Sequence, residues 1–220
     1  MIKPNQIIRS NRKTLSVSVD CFARITVRAP KRCGDERIFA FLEEKKDWIL
    51  RKQAQMQQNA LQLPSENLDG YTFPILGKNC TVRLTDERFV RYDAPSCVIY
   101  LPRKNAQARL VRWLKENAKR IFTALVEQKA AEMGTSFLSV DISSARTRWG
   151  TCAHDNALRF TFRLLYAPKE IISYVVVHEL AHTRHKNHSS AFWREVEKYE
   201  PNYRQKRKWL KARGMYMQIF

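Results

Sequence analysis

Residues 171–193, IISYVVVHELAHTRHKNHSSAFW, constrain this chain more than any other stretch. His178, Glu179 and His182 stand in the order H-E-x-x-H, on a segment that reads as an amphipathic helix. Positions four apart on a helix share one face, about 5–6 Å apart at Cβ. His178 and His182 can therefore aim both imidazoles at one point, as two ligands of a tetrahedral zinc must. Glu179, one residue along, sits where a carboxylate reaches a metal-bound water rather than the metal. A fold that uses this motif needs a helix carrying the pair and a segment that returns a third ligand to it.

Two histidines compete for that third position. His185 follows His182 by three residues and would share its face if the helix continued. From His178 to His185, however, the helix would rise about 10.5 Å at 1.5 Å per residue. Three ligands strung along that length cannot all come within about 2.0–2.1 Å of one ion. The third must come from chain that has left the helix and turned back. Lys186-Asn187 offers an exit, because Asn tolerates the left-handed conformation that ends helices. His188 lies just beyond, with the same gap after His182 as in the metzincin pattern H-E-x-x-H-x-x-G-x-x-H, although His185 stands at the glycine of that pattern. The expected zinc ligands are His178, His182 and His188, with His185 as a rim or proton-handling residue. A surface helix with incidental histidines is the bland alternative. A metal site that has lost its chemistry is another, and the intact Glu179 speaks against it.

Composition narrows the setting. The chain has 220 residues, enough for one good core or a core with a small appended module. At 44% hydrophobic and 28% charged it is an ordinary globular sequence. No apolar run reaches the roughly 18 residues of a membrane span, and the opening MIKPNQIIRSNRKT lacks a signal-peptide core. Five scattered cysteines, none in C-x-x-C spacing, fit neither a disulfide scaffold nor a cysteine-rich zinc module. A bacterial cytoplasm is the expected location. The net charge of +19 is uneven: residues 1–102 hold 17 basic and 11 acidic side chains, residues 103–220 hold 23 and 10. Arg204, Lys206, Arg207, Lys208, Lys211 and Arg213 crowd the end. Such a cluster is either a solvated helix face or a grip on nucleic-acid phosphates.

The hydrophobic pattern predicts an α+β chain in two parts. Residues 1–102 read as a mostly β module containing one helix, with strands in 6–30 around an SNRKT turn and including Phe22. A helix over Asp35 to about Asn59 follows, carrying Ile38, Phe39, Leu42, Trp48, Ile49 and Met56 at helical spacing. A Gln-rich stretch, 53–62, leads into a linker at Pro64–Gly70, and short strands are expected near 71–76, 79–85, 88–92 and 97–101. Residues 103–220 begin with a long helix, Asn105 to Met133, closed by Gly134. Leu110, Trp113, Leu114, Ile121, Leu125 and Ala131 supply its stripe. Strands near 137–141, 144–149 and 157–165 come next. Pro168 suits the first position of the histidine helix, which should run to about Arg184. Ser189 or Ser190 caps a shorter helix, and Asn202 caps the last one.

RSNRKT (Arg9 to Thr14), RTRWGTC (Arg146 to Cys152), LRFTFRLLYAP (Leu158 to Pro168), VVHELAHTRHKNHSSAFW and YEPNYRQKRKWLK (Tyr199 to Lys211) together resemble the YgjP-like metallopeptidases, a bacterial group related to SprT and WLM-type zinc proteases. The likeness implies a zincin-like catalytic domain at 103–220, with helices packed on a small antiparallel sheet. It also implies ligand roles for His178, His182 and His188, and a general-base role for Glu179. In proteases of this shape a sheet edge near the metal holds a peptide by strand addition, so Arg146 and Arg148 are candidates to meet substrate charge. Tyr166, Tyr199 and Tyr203 are candidates to stabilise an oxyanion, and Glu195 to accept a hydrogen bond from a ligand imidazole. Phe192 and Trp193 are expected to pack against the histidine helix. Trp149 and Cys152 read as packing residues. The function expected is hydrolysis of peptide bonds by zinc-activated water, possible substrates including proteins bound to nucleic acid. The alternatives are a nucleic-acid-associated protein with a structural zinc, and a zinc hydrolase of non-peptide amides.

Overall fold

Alternation of apolar residues builds the first sheet. In β3 (Ile25–Pro30) the side chains of Ile25, Val27 and Ala29 point one way and are buried, as a period of two requires. β3 is the central strand, with β1 (Gln6–Ser10) parallel on one side and β2 (Ser16–Val19) antiparallel on the other. The SNRKT segment therefore separates two strands that do not pair with each other, and the 6–30 region holds three strands. The expected single helix is two, α1 (Asp35–Glu44) and α2 (Lys46–Gln58), broken at Lys45. Ile38, Leu42 and Ile49 close the core under β3, whereas Trp48 lies at the surface.

A computed structural model describes residues 2–20, 23–58, 67–214 and 219–220. Phe22 and the 59–66 part of the expected helix end and linker lie outside the described residues. The chain divides into two compact units, Met1–Leu63 and Pro64–Phe220, so the division falls well before the 102/103 boundary read from the sequence. The reason is visible in the second unit. Its first sheet has the order β4 (Thr72–Ile75), β5 (Lys78–Thr85), β7 (Val98–Pro102) and β6 (Arg91–Asp93), with β5 and β7 parallel. Leu76 and Gly77, both at positive φ, make the two-residue turn between β4 and β5. From that turn the Leu76 amide donates to the carbonyl of Leu165 at 2.8 Å, and Phe73 meets Tyr166 edge-on. This sheet is thus joined to the elements that follow it.

α3 (Ala106–Met133) ends at Gly134 in the left-handed conformation. Its buried stripe runs Leu110, Leu114, Ala118, Phe122, Val126, Ala130 and Met133. Trp113, Ile121 and Leu125 flank it half-buried, and Ala131 is exposed. A second three-stranded sheet follows, in the order β8 (Ser139–Ser143), β10 (Ala157–Thr161), β9 (Gly150–Cys152). It is mixed rather than antiparallel, because β8 and β10 run parallel. Residues 144–149, expected as a strand, form the connection into β9, and the end of the 157–165 run is a 3-10 turn, Phe162–Tyr166. That turn is buried throughout, including Arg163, whose guanidinium donates to the carbonyls of Ser144 at 2.8 Å and Ile219 at 3.1 Å. α4 (Lys169–Ala181), α5 (Ser190–Tyr199) and α6 (Tyr203–Ala212) complete the unit. Among the described residues no helix is long and apolar enough to cross a membrane.

Candidate active site

α4 is apolar on nearly every side. Ile171, Ile172, Val175, Val176, Val177, Leu180 and Ala181 are all buried, so the helix is a core element rather than the amphipathic one expected. Pro168 precedes it as the N-cap. The helix ends earlier than the sequence suggests, with His182 at the C-cap. The Thr183, Arg184 and His185 amides fold back onto the carbonyls of Leu180 and Ala181. His185 is therefore carried away from the face of His178 and His182.

Arg184 explains why the helix stops there. Its guanidinium donates to the carbonyls of Met133 at 2.9 Å and Gly134 at 2.6 Å, and pairs with Glu195 at 2.6 Å. Cations satisfy the open carbonyls at helix ends, and here one side chain ties the end of α3 to the segment after α4 and to α5. Glu195 is thus spoken for by Arg184 and does not face a ligand imidazole. Thr183 adds a hydroxyl contact to Thr135 at 2.7 Å. Ser189 caps α5, accepting from the Phe192 amide.

These turns bring three imidazoles together. Ring centroids lie 5.0 Å apart for His178 and His182, 5.1 Å for His178 and His188, and 4.8 Å for His182 and His188. One nitrogen from each falls within 4.8 Å of the other two. His178 Nε2 and His188 Nε2 are 3.1 Å apart, close to the roughly 3.3 Å expected of two nitrogens sharing a tetrahedral zinc. His182 Nδ1 faces the His185 carbonyl at 2.9 Å. A carbonyl only accepts, so Nδ1 carries the proton and Nε2 offers a lone pair to a metal. Phe192, fully buried, lies 4.5 to 4.9 Å from all three rings and forms the floor. Trp193 stacks on His188 at 5.6 Å. The donor set, its spacing and its tautomer all fit a divalent metal.

Electrostatics agree with that fit. Burial, then the neighbouring His182 and His188, push His178 down to about 3, so it stays neutral and able to ligate at ordinary pH. Burial also lowers His182. Glu179 is 6% exposed, and burial pushes it up to about 8.

Gly150 was not singled out in the sequence, and the structure makes it part of the site. A Cβ there would lie 2.7 Å from both Cγ and Oε1 of Glu179, closer than any real side chain tolerates. Only glycine lets β9 pass this close to the carboxylate. A glycine inside a strand pattern marks such a close backbone approach, and that was the available signal. Lys186 was missed too: its ammonium donates to the carbonyls of Ala153 and His154, at 3.3 and 3.2 Å, and to Asn156 Oδ1 at 2.6 Å. All three acceptors belong to the β9–β10 turn, so Lys186 ties that hairpin to the loop bearing His188.

The remaining candidates are scattered. Arg146 donates to the Phe220 carbonyl at 3.1 Å. Arg148 lines a cavity beside the second sheet. The imidazole of His185 lies outside the cluster. Tyr203 is 5% exposed, with its ring stacked 5.1 Å from Trp193. Tyr166 is wholly buried, and burial holds its phenol far above the ordinary range. Burial raises Cys152 as well, which makes it a poor nucleophile. Of the C-terminal cations, Arg204 pairs with Glu197 at 2.8 Å, Lys206 with Glu200, and Arg207 lies over Trp193.

A family model for the YgjP-like metallopeptidase domain matches residues 13–213. The chain belongs to that family. It is accordingly a metallopeptidase, a hydrolase of peptide bonds. Among solved structures, this YgjP-like chain is similar to the metallopeptidase zymogens abylysin of Pyrococcus abyssi and jannalysin of Methanocaldococcus jannaschii. The first is 24% identical, with 42% of this chain and 93% of that one covered, at a TM-score of 0.39. The second is 16% identical, with 42% and 95% covered, at the same TM-score. A comparison with curated proteins finds no match.

Proposed function

We propose that the protein is a zinc-dependent peptidase of zincin-like design, with His178, His182 and His188 holding the metal and Glu179 as general base. The observation that carries this reading is the juxtaposition of three converging imidazole nitrogens with one buried carboxylate on the adjacent residue. A zinc held there supplies Lewis acidity, lowering the pKa of a water and polarising a carbonyl.

The chain's own groups do the rest. The His185 carbonyl holds His182 in the tautomer that presents Nε2. Phe192 and Trp193 wall the imidazoles and keep them from turning. Glu179, confined between α4 and Gly150, takes the proton from the attacking water and delivers it to the departing amine. A carboxylate raised towards neutrality by burial is suited to both halves of that exchange. β9 pairs only with β10 among the described strands. Its other edge is open, one face of the strand at Gly150 meets Glu179, and that edge offers a peptide a line of backbone hydrogen bonds.

The test is Glu179→Gln, which keeps the shape of the side chain and removes the base. We expect one zinc per chain to be retained and peptide hydrolysis to fall by ~10²- to 10⁴-fold. Unchanged turnover in the zinc-loaded variant would overturn the reading.

A further inference from the structure

Successive side chains of a strand point to opposite faces of its sheet, and in β9 this divides two different environments. Gly150 stands in register with Phe160, which is fully buried and meets Phe122 of α3. That face holds Glu179. Thr151 is in register with Arg159, and Arg159 in turn with Asp141, on the opposite face. There the 144–149 connection closes over the sheet, held by the Thr161 hydroxyl, which donates to the Ala145 carbonyl at 2.8 Å, and by the Thr161 amide on the Trp149 carbonyl at 3.0 Å.

Beneath this connection lies a cavity of about 330 Å³. Arg148 and Arg159 line it together with the hydroxyl residues Ser143, Thr147 and Thr151. No carboxylate lines it. Neither guanidinium makes an ion pair or a hydrogen bond with another described residue, and Asp141, the register neighbour of Arg159, lies 3.9 Å from Lys119 instead. Two cations and several hydroxyls around a small hollow, with no internal anion, form a site for a carboxylate.

We propose that this cavity is a specificity subsite of the peptidase, in which Arg148 and Arg159 bind an acidic side chain of a peptide added along the free edge of β9. The inference rests on the proposed peptidase reading. On an added strand, the residue beside Gly150 presents one face to Glu179, and the residue next to it turns its side chain to the opposite face, towards the arginines. The substrate class is therefore a peptide with Asp or Glu adjacent to the residue that meets Glu179. The size of the hollow suits a single side chain, being near the small end of ligand pockets.

The experiment uses zinc-loaded protein and matched peptides that differ only as Glu against Gln, or as Asp against Asn, at each position flanking the cleaved bond. At one adjacent position the acidic peptide should be favoured by about 10-fold or more in kcat/KM. That ratio should fall to about one in Arg148→Gln/Arg159→Gln, and invert towards Lys-containing peptides in Arg148→Glu/Arg159→Glu. In parallel, binding of the same fluorescent peptides to zinc-loaded Glu179→Gln protein is followed by anisotropy. Cleavage by the wild type with no acidic preference at any flanking position would overturn the subsite and leave the peptidase reading standing. Binding that discriminates Glu from Gln through the two arginines, with no cleavage by the wild type, would uphold the acidic-peptide site and sink the proposed hydrolysis by a zinc site with Glu179. Equal binding of Glu and Gln peptides, or capture of inorganic phosphate with no effect on peptide choice, would also overturn it.

Discussion

His178 and His188 are ring neighbours, yet the two stretches of chain that hold them are built by opposite means. The end of α4 is positioned by packing: His178 and Glu179 project from a helix whose side chains from Val175 to Ala181 are otherwise all buried and apolar. The 183–189 segment is positioned by polar ties. His182 faces the His185 carbonyl, Arg184 reaches α3 and Glu195, Lys186 reaches the β9–β10 turn, and Ser189 caps α5. Packing in a buried core resists displacement, because neighbours have nowhere to move. Hydrogen bonds at the surface contribute only about 1 kcal/mol each net. Changes on the deep side should therefore damage the chemistry itself, whereas changes on the loop side should loosen the hold on the metal.

The largest effect expected is at the deep side. Gly150→Ala would set a methyl group 2.7 Å from Glu179 Cγ and Oε1, and Glu179 has little room to retreat. Displacing a catalytic group by about 1 Å costs on the order of 10²-fold in rate. We expect a loss of that size in kcat/KM with zinc content unchanged. A Gly150→Ala enzyme as fast as wild type would show that the approach of β9 to the carboxylate is dispensable.

An intermediate effect should appear in the metal-free protein as a function of pH. Folded Glu179 keeps its proton up to about pH 8, whereas the unfolded chain releases it near 4.5. Between those values the unfolded state binds fewer protons, so stability falls as pH rises, by roughly 1.4 kcal/mol per pH unit at most. Glu179→Gln removes this dependence. With a chelator present, the variant should gain on wild type in thermal midpoint from pH 5 to pH 8. His178 acts in the opposite sense, costing stability as pH falls below 6.5 towards 3, but both proteins share that contribution and it cancels. Parallel curves across pH 5–8 would mean that Glu179 is not held protonated.

The smallest effect belongs to the loop side. Lys186→Met removes three hydrogen bonds to the β9–β10 turn. Since that ammonium is exposed, we expect a loss of ~1 kcal/mol, about 5-fold in zinc affinity by competition with a chelating dye. A loss as large as that of a ligand substitution would erase the contrast between the two halves of the site.

The same contrast governs how much could be read from the sequence. The local part was legible: the H-E-x-x-H spacing depends on helix geometry alone, and Gly134 and Ser189 end and begin helices by local rules, whereas His185 is set apart by the early end of α4 and not by the rise of a longer helix. What was not legible depends on distant chain. α4 stops at Ala181 without a glycine or proline because Arg184 reaches back to the end of α3. The pairing of β1 with β3 rather than β2 is likewise non-local, and the SNRKT turn gave the wrong hint of a hairpin. Lys45 breaks the α1–α2 run without any residue that enforces a break. Nothing in RTRWGTC reveals that the distant Phe220 carbonyl occupies Arg146.

Zinc stoichiometry across single histidine variants tests the central claim most directly. Purified in the presence of zinc and dialysed, His178→Ala, His182→Ala and His188→Ala should each hold well under one zinc per chain. His185→Ala should retain a full equivalent, since that residue contributes only its backbone carbonyl to His182. Loss of zinc from His185→Ala with full retention by His188→Ala would contradict the account.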